Sequence, residues 1–268
     1  MTNICCGLFG ERVAVLGSQF LRRTWTICSN SNPSLRILRK DHPQLRKRFG
    51  FSLSASSSSS FTIFCRMDAT AGLSSLSNGG DGVVRFPLSP ASALVIQKGD
   101  ITEWFVEGSS SAIVNPANER MLGGGGADGA IHRAAGPDLL QACYSVPEVR
   151  PGIRCPIGEA RITPGFKLPA SHVIHTVGPI YNSDSNPAAS LASAYRNSLR
   201  VAKENNIQYI AFPAISCGVY GYPYDEAATV AISTIREFRN DFKEVHFVLF
   251  SPEIYGVWLN KANELLNN

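Results

Sequence analysis

From residue 91 onward the chain keeps switching its hydrophobic period, and that alternation limits the possible fold more than any other feature. The runs "SALVIQKG" (92–99) and "SAIVNP" (111–116) are too short for helices and predict strands. "GAIHRAAGPDLLQACYSV" (129–146) has helical spacing, interrupted at Gly136 and Pro137. Strands are predicted at "EARIT" (159–163), "HVIHTV" (172–177), "YIAFPAI" (209–215) and "VHFVLF" (245–250), with helices over 188–206, 224–240 and 253–267. Strands separated by helices of this length require crossovers, and therefore parallel pairing with helices on both faces. The expectation is one α/β domain over residues 91–268, a three-layer α/β/α sandwich around a largely parallel mixed sheet.

The segment before it has a different composition. Of 25 Lys and Arg, ten fall within residues 1–66, against two of the 21 acids, so this stretch carries about +8. Residues 67–268 hold the other 15 basic and 19 acidic groups, a net of −4. The overall pI of 8.7 thus averages a basic leader with a mildly acidic domain, and a nucleic-acid partner is not expected. The leader also contains "FSLSASSSSSFTIFC" (51–65), and an Arg-rich, Ser-rich, acid-poor start is the composition of an organelle transit peptide. The Ser run favours a chloroplast over a mitochondrion. Initiation at Met67 would instead leave the product in the cytosol or nucleus. Residues 67–90 read as a linker.

No run approaches the roughly 18 apolar residues of a membrane span, so no membrane association is expected. Outside the leader, Cys143, Cys155 and Cys217 form no CxxC pair and are odd in number, which points away from zinc knuckles and disulfide frameworks. Neither a metal nor a cofactor is expected.

In sheets of this kind ligands bind beyond the carboxyl ends of the strands, where loops meet helix N-termini. Four predicted strand ends carry unusual residues: "KGDIT" (98–102), "NPANERMLGGGGADG" (115–129), "AISCGVYGY" (214–222) and "LFSPE" (249–253). A run of four glycines lets backbone N–H groups press against something bulky and anionic. Two such loops at neighbouring strand ends suit a diphosphate gripped from both sides. Neither 123–129 nor 216–221 contains Lys or Arg, so anion binding there would rest on backbone dipoles. The GxxxxGK pattern of a nucleoside triphosphatase is absent.

These motifs resemble the macro domains, and among them the MacroD-type ADP-ribosyl hydrolases. The resemblance rests on "GDIT" (99–102), "IVNPAN" (113–118), "GGGGADGAIHRAAGP" (123–137), "VIHTVGP" (173–179), "NSLRVAKENNI" (197–207), "IAFPAISCGVYGYP" (210–223) and "VLF" (248–250), in that order. The chain departs from the usual family pattern at Pro116, Ala127 and Cys217.

The resemblance implies that Asp100 accepts from the adenine amine, the Ile101 amide meets the ring and Phe250 packs on it. On residue type alone, Asp100 reads equally as a helix N-cap and Phe250 as core. Gly124, Gly125, Gly126 and Ala127 would bring backbone to the pyrophosphate and distal ribose. Ser216, Cys217, Gly218, Val219 and Tyr220 would wrap the diphosphate from the other side, with the Tyr220 ring over the ribose. Asn118 would hold a ribose hydroxyl, or else close an Asx-turn at the loop start. Asp128 is the implied catalytic group, a general base or the group that positions water and ribose. His132, four residues on, would orient it or simply fill the core. Cys217, close to a helix N-terminus, is expected to have a lowered thiol pKa.

The implied function is removal of mono-ADP-ribose from acidic protein side chains and deacetylation of O-acetyl-ADP-ribose. The alternatives are a non-catalytic ADP-ribose reader and an ADP-ribose 1″-phosphate phosphatase. The implied partners are ADP-ribose derivatives and ADP-ribosylated proteins, acting on a monomer.

Overall fold

The computed structural model describes residues 82–107 and 109–267. The transit peptide and residues 67–81 of the expected linker lie outside the described residues. The elements run β1 (Val83–Ser89), β2 (Ser92–Lys98), a short 3-10 turn (Ile101–Glu103), β3 (Ser111–Pro116), α1 (Gly126–Ala135), α2 (Pro137–Ser145), β4 (Ala160–Pro164), β5 (His172–Thr176), α3 (Pro187–Glu204), β6 (Tyr209–Phe212), α4 (Tyr224–Arg236), β7 (Glu244–Leu249) and α5 (Pro252–Leu266). They build one seven-stranded sheet in the order β1-β2-β7-β6-β3-β5-β4. The five inner strands are parallel, and only β1 and β4, at the two edges, run antiparallel to their neighbours.

Local chemistry accounts for most of the boundaries. Gly136, at φ 82°, ends α1 and precedes α2, whose first residue Pro137 has the preset φ that a helix start favours. Pro187 opens α3 behind Asn186, whose side chain accepts from the Ala189 amide at 3.2 Å. The run read as a strand over 209–215 stops at Phe212, because Pro213 has no N–H to donate to a ladder. β1 corrects the expected linker, since Val83–Ser89 pairs with β2 and buries Phe86. Its proline confines it to an edge, which also blurred it as a strand in the sequence.

Successive side chains of each inner strand enter different cores. In β3, Ala112 and Val114 join a cluster under α3, α4 and α5 that includes Tyr195, Ile232 and Trp258. Ile113 joins a second cluster under α1 and α2, with Ile131 and Leu139. No helix among the described residues is long and apolar enough to cross a membrane.

Candidate functional site

The parallel strands β2, β3, β6 and β7 end along one edge of the sheet, and the loops leaving them enclose a cleft of about 700 Å³. That is within the roughly 300–1,000 Å³ of small-molecule sites. All fourteen residues expected to contact ligand line this cleft, from Asp100 on one side to Phe250 on the other. His132 stands behind the lining, against Asp128.

The four consecutive glycines serve different needs. Gly123 and Gly126 hold left-handed backbone, at φ 81° and 58°, that other residues rarely adopt. A Cβ on Gly124 would lie 3.0 Å from Asp128 Oδ2 and 3.4 Å from Asn118 Nδ2, so those two side chains converge on its bare face. Gly125 has extended backbone and nothing within 4 Å of a Cβ, so no neighbouring protein atom demands a glycine there. Gly218, on the opposite wall, is equally unconstrained.

Both loops expose amide donors. Gly125 caps α1 without a side chain, so the first N–H groups of this helix face the cleft without an intrahelical or capping partner. Ser251 likewise makes no side-chain cap for α5. In the second loop, Gly221 N donates to Gly218 O and Tyr222 N to Ser216 O, each at 3.0 Å, which closes a tight turn ahead of α4. The amides of Ser216, Gly218, Val219 and Tyr220 have no partner among the described residues. Ser216 sits at φ 64°, packed so closely on Gly178 that any side chain there would strike it.

Two residues read in alternative ways fill the plainer role while still facing the cleft. Asp100 Oδ1 accepts from both Thr102 N and Thr102 Oγ1 at 2.8 Å, capping the 3-10 turn. Asn118 closes an Asx-turn, its Oδ1 accepting from Arg120 N at 3.1 Å, and its Nδ2 donates to Gly123 O at 3.0 Å. The second Nδ2 hydrogen remains for a ligand. Phe250 is not core: it stands 80 % exposed at the cleft rim, and Val219 at the loop tip is 96 % exposed.

Asp128 is only 4 % exposed, and its two carboxylate oxygens meet different neighbours. Oδ1 accepts from Asn115 Nδ2 at 2.8 Å and lies 3.4 Å from His132 Nε2, which makes no hydrogen bond. Oδ2 faces Gly124 and the cleft. Burial raises the Asp128 pKa, and the Asn115 hydrogen bond and the neighbouring His132 pull it back down.

Behind Asn115 the polar chain continues in a way the sequence reading missed. Asn115 Nδ2 lies 3.1 Å from His175 Nδ1, and His175 Nε2 lies 2.9 Å from Thr163 Oγ1. Both Asn115 and His175 are completely buried. The β3–β5 register sets them side by side across 60 residues of sequence, and only the inward phase of the two strands hints at it.

Two expectations change. Cys217 lines the cleft but is only 5 % exposed, and burial drives its thiol up to about 12, the reverse of the predicted lowering. Its side chain packs into the core beside Tyr195 rather than toward the helix N-terminus. His132, Cys143 and His175 bring metal-ligand atoms within 4.8 Å of one another, a cluster not anticipated. As hydrogen-bonded here it is poorly prepared for an ion. His175 Nδ1 accepts a hydrogen bond from the Asn115 amide, which leaves the imidazole proton on Nε2, and burial pushes the Cys143 thiol up to about 11.

The chain is similar to known proteins in sequence and fold. The Macro domain family signature matches residues 114–231. A macro domain-containing protein of Vibrio parahaemolyticus is 53 % identical over 166 residues, covering 62 % of this chain and 95 % of its own. The O-acetyl-ADP-ribose deacetylase of Klebsiella pneumoniae is 51 % identical over 164 residues, 60 % of this chain and 90 % of its own. The structure of the Oceanobacillus iheyensis macrodomain with ADP superposes with a TM-score of 0.64 at 44 % identity, covering 69 % of this chain and 97 % of its own. The chain belongs to the macro domain family.

Proposed function

We propose that the cleft binds ADP-ribose and that the protein is a hydrolase, releasing mono-ADP-ribose from acidic side chains and deacetylating O-acetyl-ADP-ribose. The observation that carries this reading is the split carboxylate of Asp128, with Oδ1 anchored by Asn115 and Oδ2 turned into a cleft walled by unpaired amide donors. The uncapped N-termini of α1 and α5 and the amides of the second loop supply the positive ends of dipoles for a diphosphate. Relatives named for O-acetyl-ADP-ribose deacetylation, and a similar macrodomain solved with ADP, support the same ligand class.

In this reading Asp128 Oδ2 takes or directs a proton of the attacking water: attack at the acyl carbon breaks its bond to the ribose oxygen, which leaves with that proton, whereas attack at the anomeric carbon breaks its bond to the side-chain oxygen, which leaves as the carboxylate. Asn118, with one amide hydrogen unspent, holds a ribose hydroxyl. Phe250 at the rim offers its face to adenine, and the Tyr220 ring covers the distal ribose.

The test is to offer the purified protein a transferase carrying Glu-linked ADP-ribose, and separately O-acetyl-ADP-ribose, and to follow release of ADP-ribose. Asp128→Ala is expected to slow release by at least the ~10²-fold of a lost acid–base group while changing ADP-ribose affinity far less, because the cradle is backbone. A wild type that binds ADP-ribose and releases none makes the protein a reader; release of phosphate from ADP-ribose 1″-phosphate alone makes it a phosphatase. The Arg- and Ser-rich leader supports plastid import, and residues 1–66 fused to a fluorescent reporter are expected in plastids, with diffuse fluorescence overturning this.

A further inference from the structure

A carboxylate only accepts hydrogen bonds, so the Asn115 atom 2.8 Å from Asp128 Oδ1 is the amide nitrogen. That nitrogen only donates, so His175 Nδ1, 3.1 Å away, is unprotonated. The proton of the neutral ring is then on Nε2 and points to Thr163 Oγ1 at 2.9 Å. Both hydrogens of the Asn115 amide are thereby assigned, one to Asp128 and one to His175, while its Oδ1 is buried without a partner. Nothing holds this amide by its oxygen. Its orientation rests on the two acceptors alone, and of these only His175 is fixed in the sheet, since Asp128 belongs to the helix that follows the glycine loop.

We propose that His175 is a positioning residue for Asp128: its Nδ1, as an acceptor, fixes the Asn115 amide, which in turn holds Asp128 Oδ1 and leaves Oδ2 on the Gly124 side of the cleft. The role rests on the hydrolase reading above and adds to it a residue that cannot touch substrate. A neutral ring is required, because a proton on Nδ1 would confront the amide hydrogen. Complete burial provides this, pushing the His175 pKa down to about 3. The other titratable groups facing Asp128 are His132 on its own helix, Cys143 from α2 and Tyr220 from the second loop; burial, and after it the Asp128 charge, raises the pKa of both the thiol and the phenol.

The experiment compares His175→Leu, which removes the acceptor, with His175→Asn, whose amide oxygen replaces Nδ1 as an acceptor at the same reach. The readout is the Asp128 side-chain carboxyl resonance in full-length protein labelled with ¹³C-aspartate, assigned by its loss in Asp128→Asn, titrated with pH. With the amide released, burial of Asp128 is less opposed, so in His175→Leu the midpoint is expected to rise by about one pH unit. In His175→Asn it is expected at the wild-type position. The rate of ADP-ribose release should follow, falling about tenfold in the Leu variant with its acid limb moved to higher pH, at an ADP-ribose affinity within about threefold of wild type. Thr163→Val, which removes the Nε2–H acceptor without touching the ring, is expected to move the midpoint the same way and serves if His175→Leu does not fold. Equal midpoints in the Leu, Asn and wild-type proteins would overturn the proposal, as would equal shifts in both variants. The midpoint is read without turnover, so an inactive wild type would overturn the hydrolase reading and leave the positioning of Asp128 still decided by the titration.

Discussion

The two faces of the sheet are built on different principles. Under α3, α4 and α5 the core is apolar and aromatic: Tyr195 lies 5.2 Å from Phe212, Phe212 6.1 Å from Phe247, and Phe247 5.9 Å from Trp258 between ring centres. Under α1 and α2 the sheet buries Asn115, His175, Thr163 and His246, and its helix carries Asp128. A buried polar group costs stability unless each donor and acceptor is matched. One face is therefore shaped for cohesion. The other accepts that cost to hold a carboxylate in a fixed pose at the cleft, and the same alternating strands serve both.

The largest effect should come from the aromatic face. Trp258→Ala is expected to lower unfolding free energy by about 3–5 kcal/mol, as other large-to-small aromatic deletions do, while the protein that remains folded keeps its ADP-ribose affinity. Urea titration alongside calorimetry reads both quantities, and a matching fall in affinity would show that the two faces are not separable.

Next in size is the acid response, which should belong to the polar face. Burial pushes the His175 pKa down to about 3 and that of His246 to about 4. Below their unfolded value near 6.5 the unfolded chain binds protons that the folded protein does not. Stability should therefore fall as pH drops from about 6.5 toward 4, by roughly 2.5 kcal/mol for each histidine at pH 4.5. Asp128, whose pKa is raised, works in the opposite sense and offsets part of the loss. Urea midpoints at pH 7 and 4.5 measure the difference, and a flat profile would mean that these imidazoles are hydrated rather than enclosed.

Smaller still is the effect of closing the cleft. Gly125→Ala and Gly218→Ala meet no protein atom, so the fold should tolerate them and gain up to about 1 kcal/mol from a stiffer unfolded chain. Affinity for ADP-ribose should nevertheless drop about tenfold, roughly 1.4 kcal/mol, because the added methyl stands where a diphosphate approaches backbone. Unchanged affinity in both would place the ligand elsewhere.

The smallest effect is expected at Cys217. With its pKa near 12, only about one thiol in ten thousand is ionised at pH 8, so iodoacetamide should label it slowly with or without ADP-ribose. Fast labelling that ligand suppresses would restore the lowered thiol pKa that the sequence predicts.

How much was legible depends on the range of the interaction that decides each feature. β3 was read from its apolar run with both ends correct, and the break between α1 and α2 from Gly136 and Pro137, because a short window contains the whole cause. β1 was not, because its proline and its Ser/Gly-rich approach match a linker until β2 is there to pair with. The fourteen residues expected at the ligand all line the cleft because glycine runs, caps and strand ends are local signals, strengthened by the family resemblance.

By itself, then, the sequence determined the alternation that demands a covered parallel sheet, the two glycine loops at neighbouring strand ends and the carboxylate beside one of them. Only the tertiary structure decided that Asn115 faces His175, that Asp128 presents Oδ2 rather than Oδ1 to the cleft, and that Cys217 turns into the core. The physical reason is that local propensity acts over a few residues, whereas the state of a buried polar group is set by whatever the sheet register brings within hydrogen-bond distance. For Asn115 that neighbour is 60 residues away along the chain.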